Sequence, residues 1–252
     1  MKILRYIRYF GYISFNWNIP IAARILRTEI SGEKKYGINT TGADELKDLD
    51  EMGIDTTHAT IYMPVSYELL EEIFKQLQLL TSREWEVGNE RNSSTNSAAP
   101  NSLLANIHFL DIGCGKGRAM CVAAHKGFRK ITGIDFSKKL CEAAEHNCLI
   151  TQRKIPAIEF KIINNDAFYY DISEDVDCIF MFNPFDEIIM SGVANNINES
   201  LRQHPRKMKI IYVNPLHKSL FTNAGFQEIY HSKKMKYLEV AILENKLVVA
   251  SL

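Results

Sequence analysis

The chain has 252 residues, of which 46% are hydrophobic and 24% charged, and its 30 basic residues balance its 30 acidic ones. This length fits one large domain or one domain with an appendage, and the composition excludes a chain that is mainly disordered. The balanced charge argues against a protein coated by nucleic acid, although it leaves a local basic patch open. No run of about 18 apolar residues occurs, which excludes a membrane-spanning protein, and no internal repeat indicates a solenoid.

The first 35 residues are basic and aromatic. They contain seven Lys and Arg residues against two acids, Glu29 and Glu33, and seven minus two is a net charge of +5. Six aromatic residues interleave with these charges: Tyr6, Tyr9, Phe10, Tyr12, Phe15 and Trp17. One interpretation is a helix that lies on an anionic membrane. The other, which we favour because small domains often need a cover, is a helical arm whose aromatic residues cover the domain while Lys and Arg reach into solvent.

Loops and one helix are predicted before the central region. Residues 36–65 contain several glycines and are typical of loops. Residues 66–80 predict an amphipathic helix, because Ser66 suits the N-cap and an apolar stripe follows at helical spacing. Residues 89–102 hold no large apolar side chain and are typical of a flexible linker or, as we prefer, a tolerated surface insertion.

From residue 106 onward, predicted strands alternate with predicted helices. The strands are residues 107–110, 130–134, 157–163, 176–182 and 209–213, the helices are 116–126, 137–150, 187–202 and 215–224, and a hairpin is formed by 226–231 and 236–243. This alternation predicts an α/β fold with a parallel, doubly wound sheet, to which the hairpin adds an antiparallel edge.

We therefore divide the chain into two parts. Residues 1–65 are an N-terminal helical and loop extension, which is a candidate lid over a ligand. Residues 66–252 are the α/β domain, with a flexible insertion at about residues 85–105.

The most informative segment is H-F-L-D-I-G-C-G-K-G-R, residues 108–118. A predicted strand runs into Asp111, and Gly113, Gly115 and Gly117 then turn the chain into a helix. Glycine permits the tight turn and the close approach of a ligand, and the helix N-terminus offers free N–H groups. The G-x-G-x-G spacing differs from the G-x-G-x-x-G of dinucleotide folds, and the acid before it would repel a pyrophosphate. A carboxylate here suits a ligand with a positive amino group, such as the methionine part of S-adenosylmethionine.

Two further acids follow the next two predicted strands. Asp135 comes 24 residues after Asp111 (135 minus 111), at the strand end where an α/β nucleotide site places the carboxylate that binds both ribose hydroxyls. Asp166 follows the third strand, where a carboxylate can accept a hydrogen bond from an adenine amine. These acids and the glycine loop fall at consecutive strand ends, which is the edge where open α/β sheets bind ligands.

Residues 107–183 resemble the class I, seven-strand S-adenosylmethionine-dependent methyltransferases. L-D-I-G-C-G-K-G-R is similar to the family's glycine loop, G-I-D-F-S to its ribose-binding strand end, and N-D-A to its adenine contact. The resemblance implies a Rossmann-like seven-strand sheet, mostly parallel with an antiparallel C-terminal hairpin, and S-adenosyl-L-methionine as the cofactor. The cofactor site that it implies consists of Asp111, Gly113, Cys114, Gly115, Gly117, Asp135, Phe136, Asp166 and Ala167.

The fourth predicted strand ends in F-M-F-N-P-F-D, residues 180–186. In the family that the chain resembles, the residue after this strand faces the methyl group that is transferred. The segment is similar to the N-P-P-[YF] motif of amino-methylating relatives, although it lacks one proline. The resemblance implies that Asn183 contacts the substrate, with Pro184 and Phe185 shaping the pocket. The residues by themselves also fit a turn and a helix start.

A hydroxyl or ammonium acceptor would also need a base. The candidates in the sequence are His58, Tyr62, Asp186, Glu187 and His217. The whole chain also resembles a group of small bacterial methyltransferases that carry G-E-K-K-Y-G, here residues 32–37, and Y-x-P-x-x-Y, here residues 62–67, before the domain. That second resemblance implies no particular acceptor.

The cysteines and the N-terminus bear on the compartment. Five cysteines, Cys114, Cys121, Cys141, Cys148 and Cys178, form no C-x-x-C pair and lie among apolar residues. They predict buried thiols in a reducing compartment and no metal site. Charges that continue to Arg8 argue against a secretory signal, so we expect a cytoplasmic protein.

The expected function is transfer of a methyl group from S-adenosylmethionine to an amine or hydroxyl of a small molecule, glycan or protein. One alternative is an RNA or DNA amino-methyltransferase, which N-P-F suggests and the neutral charge disfavours. Another is a non-catalytic S-adenosylmethionine-binding protein, which the intact acids and glycines disfavour. The sequence carries no strong nucleic-acid signal, and membrane contact through the N-terminal helix is the less favoured reading of that segment. The acceptor and the oligomeric state stay open.

Overall fold

The structure is a computed structural model that describes residues 2–16, 18–42, 64–91, 103–183, 185–235 and 238–246. Three helices come before the sheet: α1 (Lys2–Asn16), α2 (Ile19–Tyr36) and α3 (Tyr67–Arg91). Strands and helices then alternate: β1 (His108–Ile112), α4 (Arg118–Lys126), β2 (Lys130–Asp135), α5 (Lys138–Lys154), β3 (Glu159–Asn164), β4 (Val176–Phe182), α6 (Glu187–Gln203), β5 (Lys209–Val213) and α7 (Lys218–Asn223). The hairpin β6 (Phe226–Met235) and β7 (Leu238–Asn245) follows.

The seven strands form one sheet in the order β3-β2-β1-β4-β5-β7-β6. All pairs from β3 to β5 are parallel, whereas β7 is antiparallel to both β5 and β6. The predicted fold class, a mostly parallel seven-strand sheet with an antiparallel C-terminal hairpin, is therefore confirmed.

The core lies on both faces of this sheet. Alternate residues of a strand point to opposite faces, and Phe109 and Phe180 belong to one buried cluster while Leu110 and Ile179 belong to the other. Every residue of β1 and β5 is buried, as expected for strands that are covered by helices on both sides. All five cysteines are free and buried, which confirms the prediction of buried thiols.

The helix predicted for residues 66–80 is longer in the structure, and its predicted end was wrong. The helix α3 continues to Arg91, so it includes the first residues of the predicted insertion at 85–105. Beyond the apolar stripe it is held by ion pairs, since Glu84 lies 3.1 Å from Lys207 and 2.9 Å from Lys209. Residues 92–102 are outside the described part of the chain, so the insertion and the two-part division stay predictions.

Two helices, α1 and α2, lie before residue 37, where the sequence suggested one helical segment. We call these two helices the N-terminal arm. Asn18 separates them, because its side chain accepts a hydrogen bond from the Ile21 N–H and caps α2. The two helices pack through a small cluster of Tyr9, Ile13 and Ala22. The aromatic residues cover the molecule only in part, since Tyr9 is buried and Phe15 is exposed. Among the described helices, none is both long and apolar enough to cross a bilayer.

Candidate cofactor and active site

The glycine loop between β1 and α4 folds back onto the end of β2. Gly113, Gly115 and Gly117 all have left-handed backbone angles, with φ of 75°, 55° and 75°, a conformation that glycine adopts without steric cost. The N–H groups of Gly113 and Cys114 both donate to the Ile134 carbonyl at 2.9 Å. The loop is thus fastened to the neighbouring strand at the edge of the sheet where β1 and β2 end.

Two of the predicted acids are buried at this edge. Asp135 accepts hydrogen bonds from the Gly115 N–H at 2.8 Å and from the Ser137 N–H at 2.9 Å. Burial raises the pKa of Asp135 to about 6, although these two hydrogen bonds act in the opposite direction. The pKa of Asp111 is raised well above its usual value, first by burial and then by the charge of Asp135. The loop therefore brings two carboxyl groups together in a poorly solvated place.

These acids fit the predicted cofactor. Asp111 is 3% exposed, and within the described residues no group donates a hydrogen bond to its carboxylate. A buried carboxylate without a donor is costly, and an ammonium group beside it would supply both the donor and the opposite charge. Asp135 uses one hydrogen bond on each oxygen, so each oxygen keeps a lone pair for a ribose hydroxyl. The Cys114 thiol is buried beside both acids, which raise its pKa in addition to burial, so it is not a thiolate.

The end of β3 lies next to the same edge. Asn164 joins the two strand ends, because its side-chain N–H groups donate to the carbonyls of Asp135 at 3.0 Å and of Phe136 at 2.8 Å. Asp166 accepts from the Phe168 N–H at 2.8 Å and so caps a short 3-10 turn that begins at the buried Ala167. The structure therefore brings every residue of the predicted cofactor site to the ends of β1, β2 and β3, although one oxygen of Asp166 is used as a cap.

Asn183 follows β4 at the same edge of the sheet. Its φ is 35°, a left-handed conformation that is uncommon for residues other than glycine. The buried Tyr212 of β5 donates its hydroxyl hydrogen to Asn183 Oδ1 at 3.2 Å, and that hydroxyl accepts from the His217 N–H at 3.4 Å. Burial raises the pKa of Tyr212 to about 12, so it is a neutral donor. The sequence analysis did not identify Tyr212, because it lies inside a predicted strand of five residues, most of them apolar.

The other predicted active-site residues have different positions. Phe185 is buried in the core cluster below the sheet edge, so it presents little surface to a substrate. Pro184 is outside the described residues, as are His58 and Tyr62. Asp186 caps α6 by accepting from two backbone N–H groups at 3.1 Å, and Glu187 is exposed. The assignment of individual site residues therefore stays a prediction.

A buried network that the sequence analysis missed joins the N-terminal arm to the glycine loop. Arg118, the residue after Gly117, pairs with Glu29 of α2 at 2.5 Å and donates to Thr40 Oγ1 at 2.7 Å and to the Val65 carbonyl at 2.9 Å. Its guanidinium also lies 4.2 Å from the centre of the Tyr67 ring. The sequence signal was present, since Arg118 closes the glycine motif, but its partner is 89 residues away.

The two motifs that precede the domain contact each other in this network. The rings of Tyr36 and Tyr67 stack with centres 5.5 Å apart, and Glu33 accepts from the N–H groups of Thr40 and Thr41, each at 2.7 Å. Asn147 of α5 then joins this segment to the loop. Its amide donates to the carbonyl of Lys116 at 2.9 Å, and its side-chain oxygen accepts from the N–H of Asn39, also at 2.9 Å. Residues 39–41 are thus a structural neighbour of the cofactor loop.

Comparison with known proteins adds a family match. A family model described as "Methyltransferase domain" matches residues 109–204, from β1 to the residue after α6. No curated protein matches the sequence. The match therefore covers the strands that carry the acids and Asn183.

Solved structures with a similar fold are distant in sequence. The protein PH0226 from Pyrococcus horikoshii is 15% identical over 55% of this chain and 82% of its own, with a TM-score of 0.43. The ribosomal protein L11 methylase from Lactobacillus delbrueckii subsp. bulgaricus is 16% identical over 66% and 80%, with a TM-score of 0.42. The magnesium protoporphyrin IX methyltransferase from Synechocystis, solved with bound S-adenosylmethionine, is 16% identical over 73% and 86%, with a TM-score of 0.41. No acceptor can be transferred from such distant structures.

The family match, the strand order and the buried acids at the sheet edge agree with one another. The predicted cofactor, S-adenosyl-L-methionine, and the predicted enzyme class are confirmed. The chain matches the methyltransferase domain model at residues 109–204, and this match supports the predicted class, a class I S-adenosylmethionine-dependent methyltransferase.

Proposed function

We propose that the protein transfers the methyl group to an amine nitrogen of an acceptor that binds beside Asn183. The observation that carries this proposal is the hydrogen bond from the buried Tyr212 hydroxyl to Asn183 Oδ1, at 3.2 Å. This bond ties the amide oxygen of Asn183 to Tyr212 at the carboxyl end of β4. The left-handed backbone of Asn183 supports a functional role, because such strain is concentrated at active sites.

The chemistry that remains for the protein is mainly positional. When bound, S-adenosylmethionine supplies an activated methyl group and a good leaving group. The amide of Asn183, whose oxygen accepts from Tyr212, is the group that we infer forms a hydrogen bond with the acceptor nitrogen. Such a bond holds the acceptor nitrogen in one orientation, and proximity and alignment are large contributions to the rate of a bimolecular transfer.

The positions of the candidate bases favour an amine acceptor over a hydroxyl acceptor. A hydroxyl needs a base to remove its proton, whereas a neutral amine attacks without one. Asp186 uses its carboxylate to cap α6, and Glu187 is exposed. Two of the three described candidate bases are therefore occupied elsewhere or open to water, and the third, His217, contacts Tyr212 through its backbone N–H. This supports an amine of a small molecule, glycan or protein.

The test is methyl transfer by the Asn183→Ala variant. We expect its affinity for the cofactor product, S-adenosylhomocysteine, to stay within about twofold of wild type in calorimetry, while kcat with an identified acceptor falls by about a hundredfold or more. The acceptor is found by incubating small-molecule and protein fractions with isotope-labelled S-adenosylmethionine. The chemical shift of the labelled methyl group distinguishes an N-methyl from an O-methyl product.

The matched control is Asn214→Ala. Asn214 is also an asparagine with a left-handed backbone, φ 50°, and it follows the neighbouring strand β5. Its side chain accepts from the Glu239 N–H, which is a structural contact. An O-methyl product, or equal losses of turnover in the two variants, would contradict the proposal.

A further inference from the structure

The exposed apolar side chains are concentrated on the N-terminal arm. Within the described residues, seven of the twelve exposed large hydrophobic side chains lie between residues 3 and 30, so their exposure is a property of the arm and not of the surface in general. Four of the seven lie on α1: Ile3, Leu4, Ile7 and Phe15, with exposed fractions of 75%, 58%, 60% and 92%.

These four residues share one face of α1. At about 100° per residue they fall within a sector of about 120°, with Arg8 at its border. Tyr9 and Ile13, which are buried against α2, lie on the opposite side of the helix. The apolar stripe is therefore separate from the seam between the two helices, and packing of the arm leaves it open to solvent.

The charge that the arm exposes is only positive. Residues 1–42 contain two acids, Glu29 and Glu33, and both are buried. Glu29 pairs with Arg118, and Glu33 accepts from backbone N–H groups and from the Tyr6 hydroxyl at 2.5 Å. The exposed charged side chains of the described arm are Arg8, Arg24, Arg27, Lys34 and Lys35, of which Lys35 pairs with Glu71 of α3 at 2.6 Å. Folding thus removes the negative charges from the surface of the arm and leaves the basic ones.

We propose that the apolar face of α1 binds the surface of a bilayer that contains anionic lipids. A helix with an apolar stripe and basic neighbours lies in the plane of the interface, where its apolar side chains enter the acyl region and its cations meet the lipid phosphates. The 15 residues of α1 give it a length of about 22 Å at 1.5 Å per residue, enough to lie on the surface. The methyltransferase domain is thereby held at the membrane.

Other occupants fit this surface less well. A nucleic acid would match the charge, but it would leave the aliphatic side chains uncovered, because bases stack on aromatic rings. A second copy of the chain would cover the stripe, but it would bring together two arms that each carry a net charge of +5 over residues 1–42 (seven basic minus two acidic). An anionic bilayer satisfies both the apolar and the charged part of the surface.

The experiment is co-sedimentation of the full chain with vesicles of phosphatidylcholine alone or mixed about two to one with phosphatidylglycerol. We expect binding to the mixed vesicles to be at least about tenfold tighter than to the neutral ones, and to weaken as salt is added. The double variant Ile7→Ser with Phe15→Ser should lose at least about tenfold of this affinity. The variant Arg24→Gln with Arg27→Gln should lose the preference for the anionic vesicles.

The matched control is Leu79→Ser with Leu149→Ser, two exposed leucines of α3 and α5, which should bind vesicles as wild type does. The affinity for S-adenosylhomocysteine is measured for every variant, to show that each variant is folded. This measurement does not depend on the acceptor proposal. The proposal is overturned if wild type binds both vesicles equally or neither. It is also overturned if the Ile7 and Phe15 variant binds vesicles as wild type does. A third contrary result is that wild type binds no vesicles and is a dimer in gel filtration, while this variant is a monomer.

Discussion

The guanidinium group of Arg118 is buried between the arm and the glycine loop and makes four hydrogen bonds to described residues. Arginine has five N–H donors and stays charged, so a buried arginine is tolerated only when its charge and its donors are matched. Glu29 supplies the charge through both carboxylate oxygens, at 2.8 Å and 2.5 Å. This pair connects the arm to the residue that begins α4.

We predict that Glu29→Ala lowers the free energy of unfolding by about 3–5 kcal/mol, because it leaves the charge of Arg118 buried without a partner. The measurement is unfolding in denaturant. The control is Glu199→Ala, which removes a carboxylate that also pairs with an arginine, Arg202 at 2.6 Å, but on the surface. Water replaces that partner, so no measurable change is expected. If the two substitutions lowered the free energy of unfolding by similar amounts, burial would not be what makes the Glu29–Arg118 pair important.

At the scale of elements, α2 is held against the start of α3 by a close approach. A Cβ atom added at Gly32 of α2 would lie 2.1 Å from the ring of Tyr67, and this ring stacks on Tyr36 and lies beside Arg118. Gly32, in the motif of residues 32–37, therefore leaves space for Tyr67, the last residue of the motif at 62–67. The two helices can meet only with this small residue at the contact.

We predict that Gly32→Ala destabilises the protein by about 1–3 kcal/mol, because the Tyr67 ring must move away from Tyr36 and Arg118. Gly11→Ala on α1 is the matched control, since a Cβ atom there meets nothing within 4 Å. In an exposed helix, alanine is favoured over glycine by about 0.5–1 kcal/mol, so this variant should be slightly more stable than wild type. Thermal unfolding of both variants tests the sign of each change, and stabilisation by Gly32→Ala would refute the contact.

At the scale of the whole molecule, the parallel sheet collects the acids of different strands at one edge. Asp111 of β1 and Asp135 of β2 both have raised pKa values, that of Asp135 being about 6 against 3.8 for the free side chain. A carboxyl group whose pKa is raised on folding stabilises the fold most below its unfolded pKa, and this contribution is lost as the pH rises through the folded pKa. Without cofactor, Asp135 therefore stabilises the fold most at pH values below 3.8 and least above about 6, and the raised pKa of Asp111 acts in the same direction.

The cofactor should reverse this dependence. An ammonium group and ribose hydroxyls bind the ionised acids, so we predict that binding releases protons and that affinity for S-adenosylhomocysteine increases between about pH 5 and about pH 8. Calorimetry in buffers with different ionisation enthalpies measures the protons released. The Asp135→Asn variant should lose the part of the pH dependence that is centred near 6.

Methylthioadenosine is the matched control ligand for Asp111, because it keeps the nucleoside and lacks the ammonium group. It should bind with a smaller proton release than S-adenosylhomocysteine does. Equal proton release by the two ligands would mean that Asp111 does not contact the amino group, and the assignment of that acid would then be wrong.

Much of this protein was determined by local patterns in its sequence. The alternation of strands and helices after residue 106 predicted the sheet, because buried strands and amphipathic helices each depend on residues that are close together in the chain. The glycine loop and the acids at strand ends were also readable, since parallel strands place their carboxyl ends at one edge. The resemblance to class I methyltransferases, and the cofactor that it implies, rested on these short segments.

Tertiary structure alone decided the contacts between distant residues. The partner of Arg118 lies 89 residues before it, Tyr212 reaches Asn183 from the next strand, and α3 is extended by ion pairs between Glu84 and the start of β5. The burial of Glu29 and Glu33, which makes the surface of the arm basic, also depends on the packed molecule. Which side chains pair, and which lose their water, depends on how the whole chain packs, and no local pattern of residues specifies it.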